Sequence, residues 1–445
     1  MIDKLKKNKS QIIELIMIFI ITLLFNLICN EMNHDEVWVY GFSYNISNGM
    51  IPYKDFNMVI TPLYPYLGSL FLLILGKNII SFHIFNSLIC TMIFYYVKKG
   101  APKAYYIVYG IFLLFSLPTY NLLCLLLTFI LMDLEEKKSN DYLIGLLLGI
   151  TFLTKQNIGI YLCVPTLFVK DIKKIIKRII GFIIPNIILL IYLIYSNTLY
   201  NFIDYAFLGI GDFANENLTI HTSCLIISIL SIVYLLYKYI KTKDIKIIYM
   251  LGIQGMAYPL IDPNHVMTPF IVSLTDFFNR IKLNKKIISG AFLLFIIGIF
   301  SYNIYQYNTE KYSYPNNSTS FKYRKIGTLE TNKLYIVKNY IKNIEGNVFI
   351  IDMAAYLVKL ESNIPINKYD LLNNGNIGKN GAKKIIDEID ETCSKEKCTF
   401  LINEYEIGKR ISQYNQNILK YVVNNYRYIK HEQIDQIGLS IFANY

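Results

Sequence analysis

Charge is scarce in this chain. Asp, Glu, Lys and Arg supply 17% of its 445 residues, against about 25% in an average soluble domain. Apolar residues reach 54% and mean hydropathy is +0.36, which excludes intrinsic disorder and an ordinary cytosolic enzyme. Tryptophan occurs once, and the seven cysteines offer neither zinc spacing nor a CxxC redox pair. Cys29, Cys90, Cys124, Cys163 and Cys224 lie in apolar runs, where a thiol acts as a small hydrophobe. Cys393 and Cys398 lie in a polar stretch; a disulfide formed in an oxidising compartment and two free thiols both fit that spacing. The charge that is present is lopsided, +12 from 44 basic and 32 acidic residues. Such an excess raises the question of nucleic acid. In a chain this apolar it is read instead as membrane topology, so no nucleic-acid partner is expected and the lipid bilayer is.

Long apolar runs alternate with short charged loops from Ile12 to about Tyr305. The first run, of about 20 residues, suffices to cross a hydrocarbon core of about 30 Å. It follows MIDKLKKNK without a small-residue cleavage site, so it reads as an anchor with a cytoplasmic N-terminus. The ambiguous segment is Pro62–Leu75. If it crosses the membrane, 6 Lys and Arg of the membrane part lie inside and 19 outside; if it only dips into the outer leaflet, 22 lie inside and 3 outside. The positive-inside rule selects the second arrangement and makes 31–78 one long external loop. Eleven spans result, at about 11–30, 79–97, 104–117, 119–132, 142–154, 157–169, 179–196, 222–240, 246–261, 264–280 and 286–305. Four of them measure roughly 20 Å at about 1.5 Å per residue, and so form two hairpins with sunken apices, at Leu117–Asn121 and Lys155–Asn157. Pro118 and the Lys155-Gln156-Asn157 triplet favour this over fusing each pair into one long span. Polar groups at such depth need burial in protein or a wet cavity.

Beyond residue 305 the sequence takes on soluble character. Strands are expected at Asn347–Asp352, Thr399–Asn403, 427–431 and 438–444, with helices near 380–391 and 416–426. This alternation implies a small α/β unit, which an odd number of spans places outside the cell. The fold class is therefore a mainly α polytopic membrane protein of about 11 transmembrane helices, residues 1–305, carrying an extracytoplasmic α/β domain, residues 306–445. GNIGKNG at 375–381 does not join a strand to a helix as a phosphate-binding loop must; it reads as a loop and helix start.

The residues able to carry chemistry gather toward one face. Asp35 and Glu36 stand together where the first span leaves the membrane, either as plain acids at a helix start or as a general base for a substrate headed at the interface. The loop continues with GMIPYKDF and a Pro-rich aromatic re-entry. Lys155 at a sunken apex suits a lipid phosphate, although a lysine at a span end also snorkels for purely physical reasons. Lys54 is a second cation, or an ordinary loop lysine. Asp262 and His265, with Tyr258 a turn away, could orient a phosphate or sugar, and Asp262-Pro263-Asn264 is equally a turn sequence. His34 is expected to face water.

Taken together these motifs resemble a GT-C glycosyltransferase, the class that includes protein O-mannosyltransferases and the aminoarabinose transferases of lipid A. The matching residues are Asp35-Glu36 in the first external loop; Gly49, Pro52, Tyr53 and Asp55 of a G-x-x-P-Y-x-D pattern, with Pro62 and Pro65 after it; GLLLGITFLTKQNIG at 145–159; and YPLIDPNHVMTP at 258–269. The match runs over about residues 10–280 and leaves the tail uncovered. It implies inverting transfer of a sugar from a polyprenyl-phosphate donor to an acceptor on the outer face. Asp35 would be the base, joined by Glu36, with Lys54, Asp55, Lys155, Gln156, Tyr258, Asp262 and His265 around the donor. The second external loop, Leu117-Pro118-Thr119-Tyr120-Asn121, lacks the carboxylate that metal-binding relatives place there. Asn121 is a poor sole metal partner for Asp35, which leaves a divalent metal open but its requirement in doubt.

Other function classes would leave different marks. A flippase or transporter for lipid-linked sugars should show repeated halves and ionisable groups at the bilayer midplane; neither is evident. A polymerase or ligase calls for an Arg-rich late external loop, whereas 197–221 contains no Lys or Arg. A sensor or scaffold would use the tail as its reading head and bind without turnover.

Overall fold

A computed structural model describes residues 2–32, 34–115, 119–216, 218–279, 281, 284–307, 312–313, 325–327, 341, 343–351, 375–403, 416–434 and 437–445. The membrane part opens with α1 (Ile2–Leu24), extended by a π-turn at Phe25–Cys29, and continues with α2 (His34–Ser47) and α3 (Leu63–Leu75). Then come α4 (Ile79–Gly100), α5 (Tyr105–Phe115), α6 (Tyr120–Glu136), α7 (Asp141–Thr154) and α8 (Gln156–Cys163), the last run on by a 3-10 turn at Val164–Phe168. After α9 (Ile172–Tyr195) lie α10 (Leu199–Ile203), a π-turn at Asp204–Leu208 and α11 (Ile210–Glu216). The set closes with α12 (Thr222–Thr242), α13 (Ile245–Gln254), α14 (Pro263–Asn279) and α15 (Lys285–Tyr307).

Every segment expected to span coincides with a helix. Ser10–Cys29, Ile79–Gly100, Ile172–Tyr195, Thr222–Thr242 and Lys286–Gln306 are long and apolar enough to cross a membrane; the others are shorter. The breaks between helices are written in local chemistry. Asn140, Asp171 and Asp244 cap α7, α9 and α13 by accepting backbone N–H bonds from Tyr142 at 2.9 Å, Lys173 at 2.9 Å and Lys246 at 3.0 Å, so each short charged loop also starts the next helix. Leu63–Leu75 is a separate helix packed on α2 and α4, with Leu70, Leu73, Ile74 and Leu75 exposed on its outer side.

Helix α7 pairs most extensively with α9. A Cβ on Gly145 would fall 2.1 Å from the Arg178 carbonyl oxygen, and one on Gly181 would fall 2.3 Å from that of Tyr142. The two backbones therefore touch, as small residues allow between apolar helices. Arg178, 4% exposed, locks the same end by ion pairs to Glu135 at 2.6 Å and Asp141 at 2.8 Å.

In the tail, β1 (Asn347–Ile351), β2 (Cys398–Asn403), β3 (Arg427–Ile434) and β4 (Ile437–Ala443) form one mixed sheet in the order β1-β2-β4-β3. The β1–β2 pair is parallel and the other two pairs are antiparallel. Helices α16 (Gly381–Cys393) and α17 (Gln416–Asn425) cover one face, burying Ile385, Ile389, Ile418 and Val422 against Phe400 and Ile402. The strand period of two sends Val348, Ile350, Leu401 and Ile441 to the opposite face, which is continuous with the core of the membrane helices. Cys393 and Cys398 are joined by a disulfide, with Cα atoms 5.5 Å apart.

Candidate active site

The segment 34–78 is folded and largely buried. Trp38, Phe42, Tyr53, Phe56 and Met58–Ile60 form an apolar cluster with Leu189 and Leu193 of α9 and with Phe202, Tyr205 and Ala206 beyond it. This cluster fixes α2, and with it the acidic pair, over the ends of α6 and α7. The two acids then have different environments. Glu36 is 1% exposed and its Oε1 lies 3.0 Å from Nε2 of His83, itself fully buried on α4. Asp35 is only half-buried. A carboxylate taken out of water survives only with a partner, so Glu36 is committed to holding α2 on α4 while Asp35 borders the accessible side. The His34 side chain lies outside the described residues.

Lys155 sits in extended conformation (φ −155°, ψ 113°) between α7 and α8, at the sunken corner. Its Nζ donates to Asn121 Oδ1 at 3.1 Å and lies 5.0 Å from the centre of the Tyr120 ring. The ammonium and the Asp35 carboxylate are near enough to interact electrostatically, and Tyr120 also senses Asp35. The ammonium thus sits at the N-terminus of α6, with the Asp35 carboxylate of α2 within electrostatic reach. Thr119 caps that helix by accepting from Asn121 N at 3.4 Å, which orients Asn121 for Lys155. Leu117 and Pro118 of this apex lie outside the described residues.

The remaining candidates are placed elsewhere or otherwise engaged. Asp55 Oδ2 accepts from Ile51 N at 2.7 Å, closing the GMIPYKDF turn in which Tyr53 takes a positive φ of 66°; its carboxylate serves the loop. Lys54 projects from the same turn and is exposed. Gln156, 4% exposed, donates from Nε2 to the Val59 and Ala206 carbonyls, both at 2.9 Å, and so braces the corner. Asp262 and His265 form a second cluster at the head of α14. Asp262 accepts from His265 N at 3.0 Å and contacts Nδ1 of the ring at 2.9 Å. Burial alone would raise this carboxyl, but its bonds to His265 and the charge of that ring hold it below the usual carboxylate range. Turn and polar cluster, the two alternatives read from the sequence, are here one arrangement. Tyr258 beside it is exposed.

Two groups were missed by sequence reasoning. His83 is a lone histidine in an apolar helix and Tyr120 one tyrosine among 38; neither carries a local signal. Among the described residues no group of three or more His, Cys, Asp and Glu is arranged to hold a metal. A polar cavity of about 240 Å³ lies at the far end of the helices, lined by Lys99, Asp133, Lys238, Lys246 and Asp276 among others. Its charges pair with one another, Lys99 with Asp133 and Lys238 with Asp276, so it acts as an ionic collar tying α4, α6, α12 and α14.

No family model matches the chain, and no characterised protein matches it by sequence. Among solved structures, ArnT from Cupriavidus metallidurans bound to undecaprenyl phosphate aligns at a TM-score of 0.59 and 9% identity, covering 98% of each chain. The same protein in the apo state gives 0.59 at 8% identity over 99% of this chain and 98% of its own. The oligosaccharyltransferase of Archaeoglobus fulgidus tethered with an acceptor peptide gives 0.47 at 10% identity, over 97% of this chain and 74% of its own. The chain accordingly shares the overall fold of ArnT.

Proposed function

We propose that this protein is a membrane glycosyltransferase that moves a sugar from a polyprenyl-phosphate donor to an acceptor on the outer face of the membrane. The observation carrying the reading is Lys155, held at the head of α6 by Asn121 and Tyr120 and within electrostatic reach of Asp35. The ArnT structure that shares this fold contains undecaprenyl phosphate, which supports a donor of that chemical class. In this reading the chain crosses the membrane eleven times, with its N-terminus in the cytoplasm and the sheet of the tail outside.

The reaction follows from the two groups. Asp35 takes the proton of the acceptor hydroxyl as its oxygen attacks C1 of the sugar from the face opposite the phosphate. The C1–O bond breaks, its electron pair goes to the phosphate, and the configuration at C1 inverts. Lys155 offsets the charge gathering on the departing polyprenyl phosphate, and a preorganised cation in a water-poor corner is the strongest contribution a protein can make at that point. Glu36 positions Asp35 through His83. In this reading the Asp262–His265 pair and Lys54 remain candidates for contact with the sugar or the acceptor.

Asp35→Asn tests the reading. Sugar transfer by the purified variant from polyprenyl-phosphate sugars should vanish while membrane insertion and yield stay at the parent level. Substantial residual transfer would remove Asp35 as the base.

A further inference from the structure

The GNIGKNG segment of the tail has no part in the chemistry above, yet it brings the backbone of the tail directly against the segment 204–213. Gly375 and Gly378 take positive φ values of 81° and 76°, turning the loop so that Gly378 N bonds Gly375 O at 3.2 Å. A Cβ on Gly378 would lie 2.3 Å from Asp204 Oδ2, and one on Gly375 would lie 2.2 Å from Phe213 N. From the other side, a Cβ on Gly209 would lie 2.9 Å from Gly378 Cα. Three glycines thus bring two backbones into direct contact. Asp204, 5% exposed, accepts from Lys379 N at 3.2 Å and Asn380 Nδ2 at 3.3 Å. Asn57 Nδ2 donates to Asn376 O at 2.8 Å, and Lys384 Nζ to Asn201 Oδ1 at 3.1 Å.

This contact leads directly to the Lys155 corner. Asp204 opens the π-turn whose Ala206 carbonyl receives the Gln156 amide, and that amide also holds Val59 of the first external loop. Gln156 is the residue after Lys155. Asn201 in turn donates to the Tyr53 carbonyl at 2.8 Å. We infer that loop 375–380 is a latch by which the tail positions the Lys155 corner and the wall of α2, with Asp204 and Gly378 as its positioning residues. The tail then acts on the donor without touching it. The part concerning the donor rests on the function proposed above; the mechanical part does not.

Trp38 makes the mechanical part measurable. It is the single tryptophan of the chain, it stands three residues after Asp35, and it shares a buried cluster with Tyr205 and Ala206. In the full-length protein in lipid nanodiscs, Asp204→Ala and Gly378→Ala should red-shift Trp38 emission and raise its quenching by acrylamide at temperatures where the helices remain folded. Asp204→Asn keeps an acceptor oxygen in place and should return the parent spectrum. Undecaprenyl phosphate should bind Asp204→Ala about fivefold or more weakly than the parent, the lower end of ordinary coupling between sites. In the unmodified chain the same lipid should slow amide exchange at 375–380. Unchanged Trp38 emission in Asp204→Ala and Gly378→Ala overturns the latch. So does lipid protection confined to the Lys155 corner. If undecaprenyl phosphate does not bind the parent at all, the donor reading fails and the Trp38 spectra alone decide the latch. Should Asp204→Ala fail to fold, Gly378→Ala and Lys384→Ala carry the same spectral test.

Discussion

Replacing Lys155 by Met separates catalysis from anchoring. The substitution keeps the length of the apolar stem and deletes the ammonium. In stability it loses the hydrogen bond to Asn121 at 3.1 Å, about 1 kcal/mol, and the contact with the Tyr120 ring at 5.0 Å, about 0.5–2 kcal/mol. It also removes a charge from a site only partly open to water, which returns an amount of the same size. The net effect on folding is therefore small, within about 1 kcal/mol. In catalysis there is no such offset. A cation about 4 Å from a phosphate oxygen at an effective dielectric of about 20 is worth about 4 kcal/mol, and losing one preorganised stabiliser of this kind costs about 10²–10³ in kcat. The assay is transfer from a polyprenyl-phosphate sugar under saturating donor, with thermal melting of the same sample in detergent. A variant that melts with the parent and turns over at least a hundredfold more slowly fits the site, by the same estimate. One that keeps more than about a tenth of kcat refutes it, and Lys155 is then an ordinary snorkelling lysine.

Further outcomes follow from neighbouring groups. Glu36→Ala should destabilise the protein by about 3–5 kcal/mol, because it strands a buried partner, whereas Glu36→Gln, able to keep a hydrogen bond to His83, should melt closer to the parent; equal melting of parent and Glu36→Ala would contradict the buried pair. The Asp262 carboxyl is held below its ordinary value. Its contribution to stability is therefore complete above the unfolded value of about 3.9 and is lost as pH falls through the lower folded value. Melting temperatures of the parent and Asp262→Asn should differ at neutral pH and converge in that acid range; a constant gap across it would contradict the assignment.

The order of helices was legible because each is an apolar run closed by residues that act locally. Asn140, Asp171 and Asp244 cap the element immediately after them, and Lys155-Gln156-Asn157 interrupts a run that would otherwise continue. The four strands of the tail were legible for the same reason, from short apolar stretches between polar ones. The division of labour within Asp35-Glu36 was not. It depends on His83, which lies 47 positions from Glu36 on a helix whose period shows burial and nothing about partners. Asp55 and Gln156 were placed around the donor by the resemblance, and only the fold reveals the backbone groups they bond. GNIGKNG was correctly read as a loop and helix start; what it touches depends on Gly209 and Asp204, some 170 residues earlier.

The seam between α7 and α9 has a mechanical consequence. Where main chain meets main chain at Gly145 and Gly181 there are no rotamers to exchange, and a close-packed joint of that kind transmits force without yielding. These two helices must tilt as one plank.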